Sequence, residues 1–394
     1  MDGHDSLRKN WIPVLAFLAA TLAGPAWSGT AVVFESLPGA ATVVSIPSAI
    51  LGETREVWIH VPQGYDRSDE RYPVLIQLGA GPHFAYSAAI AEFLAGNGHI
   101  PPLIVVGLPD PTPRHHYRDS TPSPVDYLPA SGGSPAFLRF LKEELLPYLE
   151  TGFRTRPFRI LCGHGLSGLF AVYALLESPG TFGGLVTDGA SLAFDDAMIF
   201  GLAASKLAGP DIRGFLYLGS GNERETIPGL QRLNELLEKI APPALAWTLE
   251  IEEDEDQGTA ALPAYLKGLK WIYRGWRMPA ETAAAGWDAV RAYYKTLSQK
   301  YGYEIPASEK ALSSRGFQWI REQRFAEAET VFRLNEDAYP DSSQACLNLA
   351  FLYERMKDRP KAAAYYEKAA GKAALSQPEA AAYYKAQAER LRKK

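Results

Sequence analysis

The sequence predicts a three-layer α/β domain with a mainly parallel sheet, followed by an all-helical module. Two observations predict this architecture. Between about residues 41 and 276, short β-branched runs alternate with segments of helical periodicity. From residue 308 onward the chain is rich in Ala, Glu, Lys, Tyr and Arg, and the strand pattern ends.

Length, charge and cysteine count exclude several classes of protein. The chain has 394 residues, which is long enough for two or three domains. Its formal net charge of -5 disfavours a nucleic-acid binder, which needs a basic face. Its two cysteines are too few for a disulfide framework or a zinc cluster. We therefore predict no cofactor, no metal and no nucleic-acid partner.

The first 28 residues have the order of a secretory signal. Arg8 and Lys9 precede an apolar run over 11–23, and small residues at 26–28 predict cleavage after Ser28. The run is short of the roughly 20 apolar residues that a spanning helix needs. The sequence predicts a secreted or periplasmic protein with no membrane span after signal removal.

The next region, 29–280, carries the strand and helix pattern. The first two strands alternate as in an antiparallel pair with one exposed face, and the later runs suit strands buried on both faces. The predicted strands are 42–46, 56–61, 72–78, 103–107, 158–162, 184–188, 214–218 and 246–251. The predicted helices include 88–94, 135–149 and 262–274.

The C-terminal part, 307–394, has an internal period. A shift of 34 residues aligns Gly316 with Ala350, Trp319 with Tyr353, and Phe332 with Tyr366. This is the tetratricopeptide period, so two repeats and a capping helix over 379–393 are predicted after a linker at 281–306. Binding of a peptide or partner protein and a purely stabilising appendage are both open at this repeat number.

One strand-to-helix turn has the setting of a nucleophile elbow. The predicted strand 158–162 is followed by Gly163-His164-Gly165-Leu166-Ser167 and then by a helix. The elbow requires Gly-x-Ser-x-Gly, with the serine on a strained turn above the sheet edge. Here Gly165 occupies the serine position, and Ser167 occupies the position of the following glycine.

At this turn the chain resembles the putative-esterase family of α/β-hydrolases, which includes siderophore and related carboxyl-ester hydrolases. The resemblance covers nearly the whole mature chain. It rests on Tyr-Pro-Val-Leu at 72–75, Arg-Asp-Ser-Thr-Pro at 118–122, Gly-Asn-Glu at 221–223 and the lead into the helical repeats at 301–306. It implies the α/β-hydrolase fold and, in active members, a serine triad that cleaves carboxyl esters.

The positions that carry chemistry depart from this family. Gly165 replaces the nucleophile, and Gln257 stands where the family has its histidine. Gly79 stands where the family tends to have aspartate beside the oxyanion hole. The resemblance leaves Glu223 as a possible residual acid of the triad.

Ester cleavage by a serine needs a base as well as a nucleophile, whatever the family. A serine is a poor nucleophile until an oriented base takes its proton, and in this fold the chain order is serine, acid, histidine. No histidine follows His164. A glutamine cannot accept a proton near neutral pH, and loss of nucleophile and base removes a factor of about a million in rate.

Further residues near the elbow and elsewhere are candidates for a substitute role in catalysis or for binding. Ser167 is the alternative nucleophile, although its helical position predicts a packing role. His83 is a candidate displaced base, and His164 is expected to pack or to bond the backbone. His115 and His116 are expected to point apart in an extended loop. Gly79, His83, His164 and Leu166 are the predicted binding residues of the cleft.

The sequence thus predicts a catalytically inactive pseudo-esterase that binds a ligand or partner. The expected ligand in the former cleft is a small ester-like or carboxylate molecule, and the expected partner of the repeats is a protein or peptide. The alternative is an active carboxyl-ester hydrolase with an unconventional nucleophile such as Ser167.

Overall fold

The computed structural model describes residues 32–34, 41–67, 69–374 and 377–393. The predicted signal segment at 1–28 lies outside these residues. The strands are β1 (Val32–Phe34), β2 (Ala41–Ser48), β3 (Glu53–His60), β4 (Tyr72–Leu78), β5 (Ile104–Leu108), β6 (Thr155–His164), β7 (Gly184–Asp188), β8 (Gly214–Gly221) and β9 (Leu245–Glu252).

The helices of the sheet domain lie between these strands and after the last one. They are α1 (Ala80–Gly96), α2 (Pro113–Ser120), α3 (Ser134–Phe140), α4 (Leu146–Gly152), α5 (Leu166–Glu177), α6 (Phe194–Ala197), α7 (Ile199–Lys206), α8 (Ile227–Ile240) and α9 (Ala261–Ile272). A π-helical turn over Leu141–Leu145 joins α3 to α4.

The described strands form one sheet in the order β1-β2-β3-β5-β4-β6-β7-β8-β9. β1, β2 and β3 pair in antiparallel fashion at one edge, and β3 also runs antiparallel to β5. The strands from β5 to β9 are parallel to one another. β4, β5 and β7 are buried along their whole length because helices cover both faces. The predicted α/β-hydrolase architecture with a C-terminal helical module is confirmed.

The C-terminal region is helical throughout its described part. Its helices are α10 (Ala280–Ala284), α11 (Trp287–Tyr301), α12 (Glu309–Arg321), α13 (Phe325–Ala338), α14 (Ser343–Arg355), α15 (Arg359–Ala373) and α16 (Pro378–Arg392). The starts of α12 and α14, and those of α13 and α15, are 34 residues apart, since 343 − 309 and 359 − 325 both equal 34. A Cβ on Gly316 would lie 2.1 Å from the Phe332 ring, so glycine lets α12 and α13 approach closely.

The segment 281–306, predicted as a linker, contains most of α10 and the whole of α11. Tyr301 at the end of α11 packs in the same core as Phe158 and Phe215 of the sheet, and its hydroxyl donates to the carbonyl of Ile272 at 3.1 Å. Val290 of the same helix packs in the core of the helical module. Helix α11 therefore belongs to both cores, and its aromatic residues join them.

No helix among the described residues is long and apolar enough to cross a membrane.

Candidate functional site

The candidate site is the edge of the sheet at the carboxyl ends of the parallel strands, where ligands of α/β folds usually bind. We call this edge, with the loops and helix starts that follow the strands, the crevice. β4 ends at Leu78, β6 at His164, β7 at Asp188 and β8 at Gly221. Because these strands are neighbours in the sheet, the loops that follow them meet at one edge. The predicted site residues lie on these loops and on the helices that begin there.

Gly165 forms the turn between β6 and α5 with φ 58° and ψ −120°. This positive-φ conformation is strained for residues with a side chain, as expected of a nucleophile elbow. A Cβ built on Gly165 would meet nothing closer than Ser191 Oγ at 3.9 Å. The turn therefore has the backbone of an elbow and room for a side chain, but it carries no nucleophile.

Ser167 is buried in the first turn of α5 with 2% of its surface exposed. Its Oγ lies 3.3 Å from Ser120 Oγ and 3.6 Å from a Cβ built on Gly79. A Cβ on Gly163 would lie 2.3 Å from the Ser167 carbonyl oxygen, so Gly163 is required for the close approach of strand and helix. Ser167 packs beneath the loop that follows β4 and has no imidazole within hydrogen-bonding distance among the described residues.

His164 makes a hydrogen bond to a buried carboxylate that the sequence did not predict. Its Nδ1 lies 2.7 Å from Oδ2 of Asp188, at the end of the neighbouring strand. In place of the expected backbone hydrogen bond, His164 bonds a carboxylate, because β6 and β7 end side by side and bring the two side chains together. Asp188 is fully buried and its Oδ1 has no partner, whereas the His164 side chain is 22% exposed.

His83 of α1 lies next to this pair. The centroids of the His83 and His164 rings are 5.5 Å apart, and His83 Nδ1 contacts the hydroxyl of Tyr86. Burial, followed by the charges of His164 and His116, lowers the pKa of His83 to about 4. His83 is therefore neutral at pH 7 and a weak base.

His115 and His116 do not lie in an extended loop as expected. They belong to α2, which begins with Pro113 after Thr112. Proline is favoured at the first helical position, and this signal in the sequence was missed. His116 Nδ1 lies 2.9 Å from Asp110 Oδ2, and that same carboxyl oxygen lies 3.5 Å from a Cβ built on Gly79. Asp110 and His116 therefore belong to the crevice.

The residues predicted as the acid and as the replaced histidine follow β8 and β9. Glu223 follows β8, and its Oε2 accepts a hydrogen bond from Thr226 Oγ1 at 3.1 Å and lies 3.7 Å from a Cβ built on Gly189. The other oxygen, Oε1, is buried without a partner. Gln257 is exposed on the 253–259 loop, which contacts β8 through a 2.8 Å hydrogen bond from Asn222 N to Glu255 O.

Two helices begin at the crevice and direct backbone N–H groups toward it. α1 begins after Gly79, which has φ 56°, and α5 begins with Leu166 after Gly165. The first N–H groups of a helix have no acceptor within the helix, and its N-terminus favours an anion. Leu166 is half-buried and packs its side chain against the core. The arrangement can hold a carboxylate or an oxyanion between the two helix ends.

The buried cysteine of β6 does not supply a nucleophile. Cys162 is unpaired and buried in β6, where burial raises the pKa of its thiol. A buried thiol with a raised pKa is a poor nucleophile. Among the described residues, no group of three or more His, Cys, Asp or Glu side chains could hold a metal ion.

Comparisons with known proteins agree with this architecture. Residues 48–188 match the family model described as "Putative esterase". No protein of curated function matches the chain significantly.

Solved structures share the fold. An IroE-like serine hydrolase from Shewanella oneidensis is 24% identical with a TM-score of 0.66, and the match covers 75% of this chain and 99% of that one. An uncharacterised protein from Capnocytophaga ochracea is 18% identical with a TM-score of 0.61, covering 84% and 93%. The siderophore hydrolase EstB from Aspergillus nidulans is 20% identical with a TM-score of 0.53, covering 66% and 99%. Residues 48–188 are therefore similar to the putative-esterase family model, and the chain shares an α/β-hydrolase fold with these structures.

Proposed function

We propose that this protein is an exported pseudo-esterase that binds a small carboxylate or ester-like ligand in the crevice without cleaving it by a serine mechanism. The observation that carries the proposal is Gly165, which holds the backbone of an elbow and lacks the nucleophile. Gln257, at the position where the family has histidine, cannot act as the base.

The N–H donors around the crevice support a carboxylate ligand. The free N–H groups at the starts of α1 and α5 attract an anion. The missing side chain of Gly165 leaves space directly beside Leu166, whose N–H is the first of α5. His164 and His83 border this space and can donate hydrogen bonds to a bound carboxylate.

Hydrolysis through Ser167 is less favoured. A nucleophile must be reachable by substrate and must lie within hydrogen-bonding distance of its base. Ser167 is buried and its oxygen contacts Ser120, which is not a base. His83 is also a poor candidate for the base, because a group whose pKa is about 4 accepts a proton poorly at pH 7.

The export and partner parts of the proposal rest on other segments. The N-terminal order of charged, apolar and small residues supports export with cleavage after Ser28. The 34-residue spacing of helices in the C-terminal module supports a role in binding a protein or peptide. N-terminal sequencing of the exported protein tests the first of these.

Binding is tested by calorimetry with butyrate and its neutral analogue butyramide. We expect butyrate to bind and butyramide to bind at least about tenfold more weakly, a difference of 1.4 kcal/mol. Ser191→Phe places a ring over the Gly165 turn and should abolish binding, because Ser191 Oγ lies 3.9 Å from a Cβ at Gly165. Ser205→Phe on an exposed face of α7 is the control. Equal binding of the two compounds, or binding that survives Ser191→Phe, contradicts the proposal.

A further inference from the structure

A second concave region lies between the α/β domain and the helical module, with a volume of about 460 Å³. Its wall on the sheet side includes Tyr72, the first residue of β4, and Arg156 near the start of β6. Its other wall includes Arg315 and Gln318 of α12. This interface cleft lies at the amino ends of the parallel strands, so it is separate from the crevice at their carboxyl ends. Its volume is in the range of small-molecule sites.

The interface cleft concentrates positive charge in a chain that is negative overall. Its basic residues are Arg71, Arg156, Arg277, Lys310 and Arg315, and its acidic residues are Glu70 and Glu304. Five positive and two negative charges leave +3 on the wall, whereas the whole chain carries -5. A concave surface with an excess of one charge attracts a ligand of the opposite sign.

Arg315 is a buried cation that forms no ion pair with a carboxylate among the residues that the structure describes. Only 8% of its surface is exposed, and its Nε and Nη1 donate to the Met278 carbonyl at 2.7 Å and to Gln318 Oε1 at 3.0 Å. Both acceptors are neutral, and Nη2 makes no hydrogen bond within the described part of the chain. Burial and then the charge of Arg277 lower the pKa of Arg315 to about 10. A buried cation is costly unless an anion accompanies it, and an anion in the cleft would supply one.

Arg277 adds a second unused donor beside Arg315. Its Nη2 pairs with Glu322, but its Nε is buried without a partner. Guanidinium groups bind carboxylate and phosphate oxygens through parallel hydrogen bonds. Two neighbouring guanidinium groups with unused N–H donors therefore form an oxyanion receptor.

The aromatic residues of the wall can pack against the apolar part of an organic ligand. Trp276, Tyr294 and Tyr303 line the cleft, and the Arg156 guanidinium lies 5.3 Å from the centre of the Tyr303 ring. Aromatic side chains favour flat apolar groups through ring packing.

We propose that the interface cleft binds a small organic oxyanion with an aromatic body, its charged group on Arg277 and Arg315 and its ring against Trp276 and Tyr294. Carboxylates and phosphate monoesters share this chemistry. The ligand bridges the α/β domain and the helical module, so its binding stabilises their contact.

The test is calorimetry on the mature chain with benzoate, phenyl phosphate and neutral benzyl alcohol. At least one of the two oxyanions should bind, more weakly as salt is added, and benzyl alcohol should not bind. The difference between benzoate and phenyl phosphate identifies the class of anion. Quenching of tryptophan fluorescence that is lost in Trp276→Phe should accompany binding.

Two variants and a control locate the site. Arg315→Gln should lower the affinity at least about tenfold, and Arg321→Gln on the exposed face of the same helix should leave it unchanged. Lys310→Gln, at the exposed rim of the cleft, should lower the affinity and leaves the buried packing unchanged. This variant tests the proposal even if Arg315→Gln does not fold. No binding of either oxyanion up to about 10 mM, equal binding of benzyl alcohol, or affinity unaffected by Lys310→Gln and any folded Arg315→Gln overturns the proposal. Binding that is lost in Ser191→Phe belongs to the crevice and also overturns it.

Discussion

The Nδ1 atom of His164 lies 2.7 Å from the carboxylate of Asp188, and the residue that follows His164 in the chain has no side chain. An oriented imidazole thus remains beside an elbow without its nucleophile. His164 precedes the elbow position and pairs with the end of β7, whereas the histidine of this fold's triad follows the acid in the chain. The pair holds the His164 ring in place at the wall of the crevice.

Removing the Asp188 carboxylate should disturb both stability and binding. Asp188→Ala leaves Nδ1 of a partly buried imidazole unpaired, so we expect a loss of about 1–3 kcal/mol in the free energy of unfolding. Butyrate affinity should fall as well, because the His164 ring is no longer oriented. Denaturant unfolding and calorimetry measure the two effects. Asp211→Ala, at an exposed position, is the control. Wild-type stability and affinity in Asp188→Ala would contradict the assigned role.

Three glycine-to-alanine variants should differ in a defined order. In Gly165→Ala the new Cβ has room, but the side chain stands on a residue with φ 58°, which is strained. We expect this strain to lower the free energy of unfolding by about 1–3 kcal/mol. Gly163→Ala brings a Cβ to 2.3 Å from the Ser167 carbonyl oxygen, so it should be the least stable. In Gly201→Ala, within α7, the new Cβ meets nothing within 4 Å, and the free energy of unfolding should rise by about 0.5–1 kcal/mol. Thermal unfolding gives the order, and a Gly163→Ala variant as stable as Gly201→Ala would refute the elbow geometry.

Restoring both lost groups should restore some hydrolysis. Gly165→Ser places its side chain in open space, because the nearest atom lies 3.9 Å from the new Cβ. Gln257→His supplies a base near Glu223. The Oε1 atom of Glu223 is buried and has no hydrogen-bond partner among the described residues. Because nucleophile and base act as a unit, each single variant should stay inactive, and the double variant should exceed both at least about tenfold.

The control for the restored activity is a substitution of the acidic residue Glu223. Adding Glu223→Gln to the double variant should lower the restored rate, since the new histidine loses its orienting carboxylate. No gain in a folded double variant would show that the crevice lacks more than these two groups.

The ion pairs of Glu53 should make stability depend on pH. Hydrogen bonds from Arg118, at 2.9 and 2.6 Å, lower the pKa of Glu53 from 4.5 to about 2. A lowered carboxyl pKa contributes stability above the ordinary value of 4.5, and this contribution is lost as the pH falls toward 2. Glu53→Gln should therefore cost about 1 kcal/mol at pH 7 and progressively less below pH 4.5.

Urea unfolding at several pH values measures this difference. The exposed Glu225→Gln should match the wild type throughout. A Glu53→Gln defect that stays constant from pH 7 to pH 3 would show that packing, and not the charge of Glu53, is responsible.

Periodicity and chain order predicted much of the fold. β4 and β7 begin and end where the sequence indicates, because buried parallel strands give compact apolar runs with sharp ends. Gly165 was located because the elbow is a local motif of five residues. The extent of α11 was missed, since its tyrosines pack on Phe158 and Phe215, far away in the sequence.

The crevice was predicted less completely than the elbow. Asp188 and His164 are 24 residues apart and share no local motif. Asp188 ends the predicted strand 184–188, and His164 lies two residues after the predicted strand 158–162. The rule that the ends of parallel strands meet could have paired them. The proximity of His83 to His164 depends on how α1 packs, which no spacing along the chain reveals.

The central claim is that the crevice has lost serine-type ester cleavage, and the most direct measurement is hydrolysis of p-nitrophenyl acetate and butyrate by the purified mature chain. With Gly165 at the nucleophile position, we predict a rate equal to buffer background, unchanged in Ser167→Ala. Turnover well above background that disappears in Ser167→Ala would make Ser167 the nucleophile and would contradict the account.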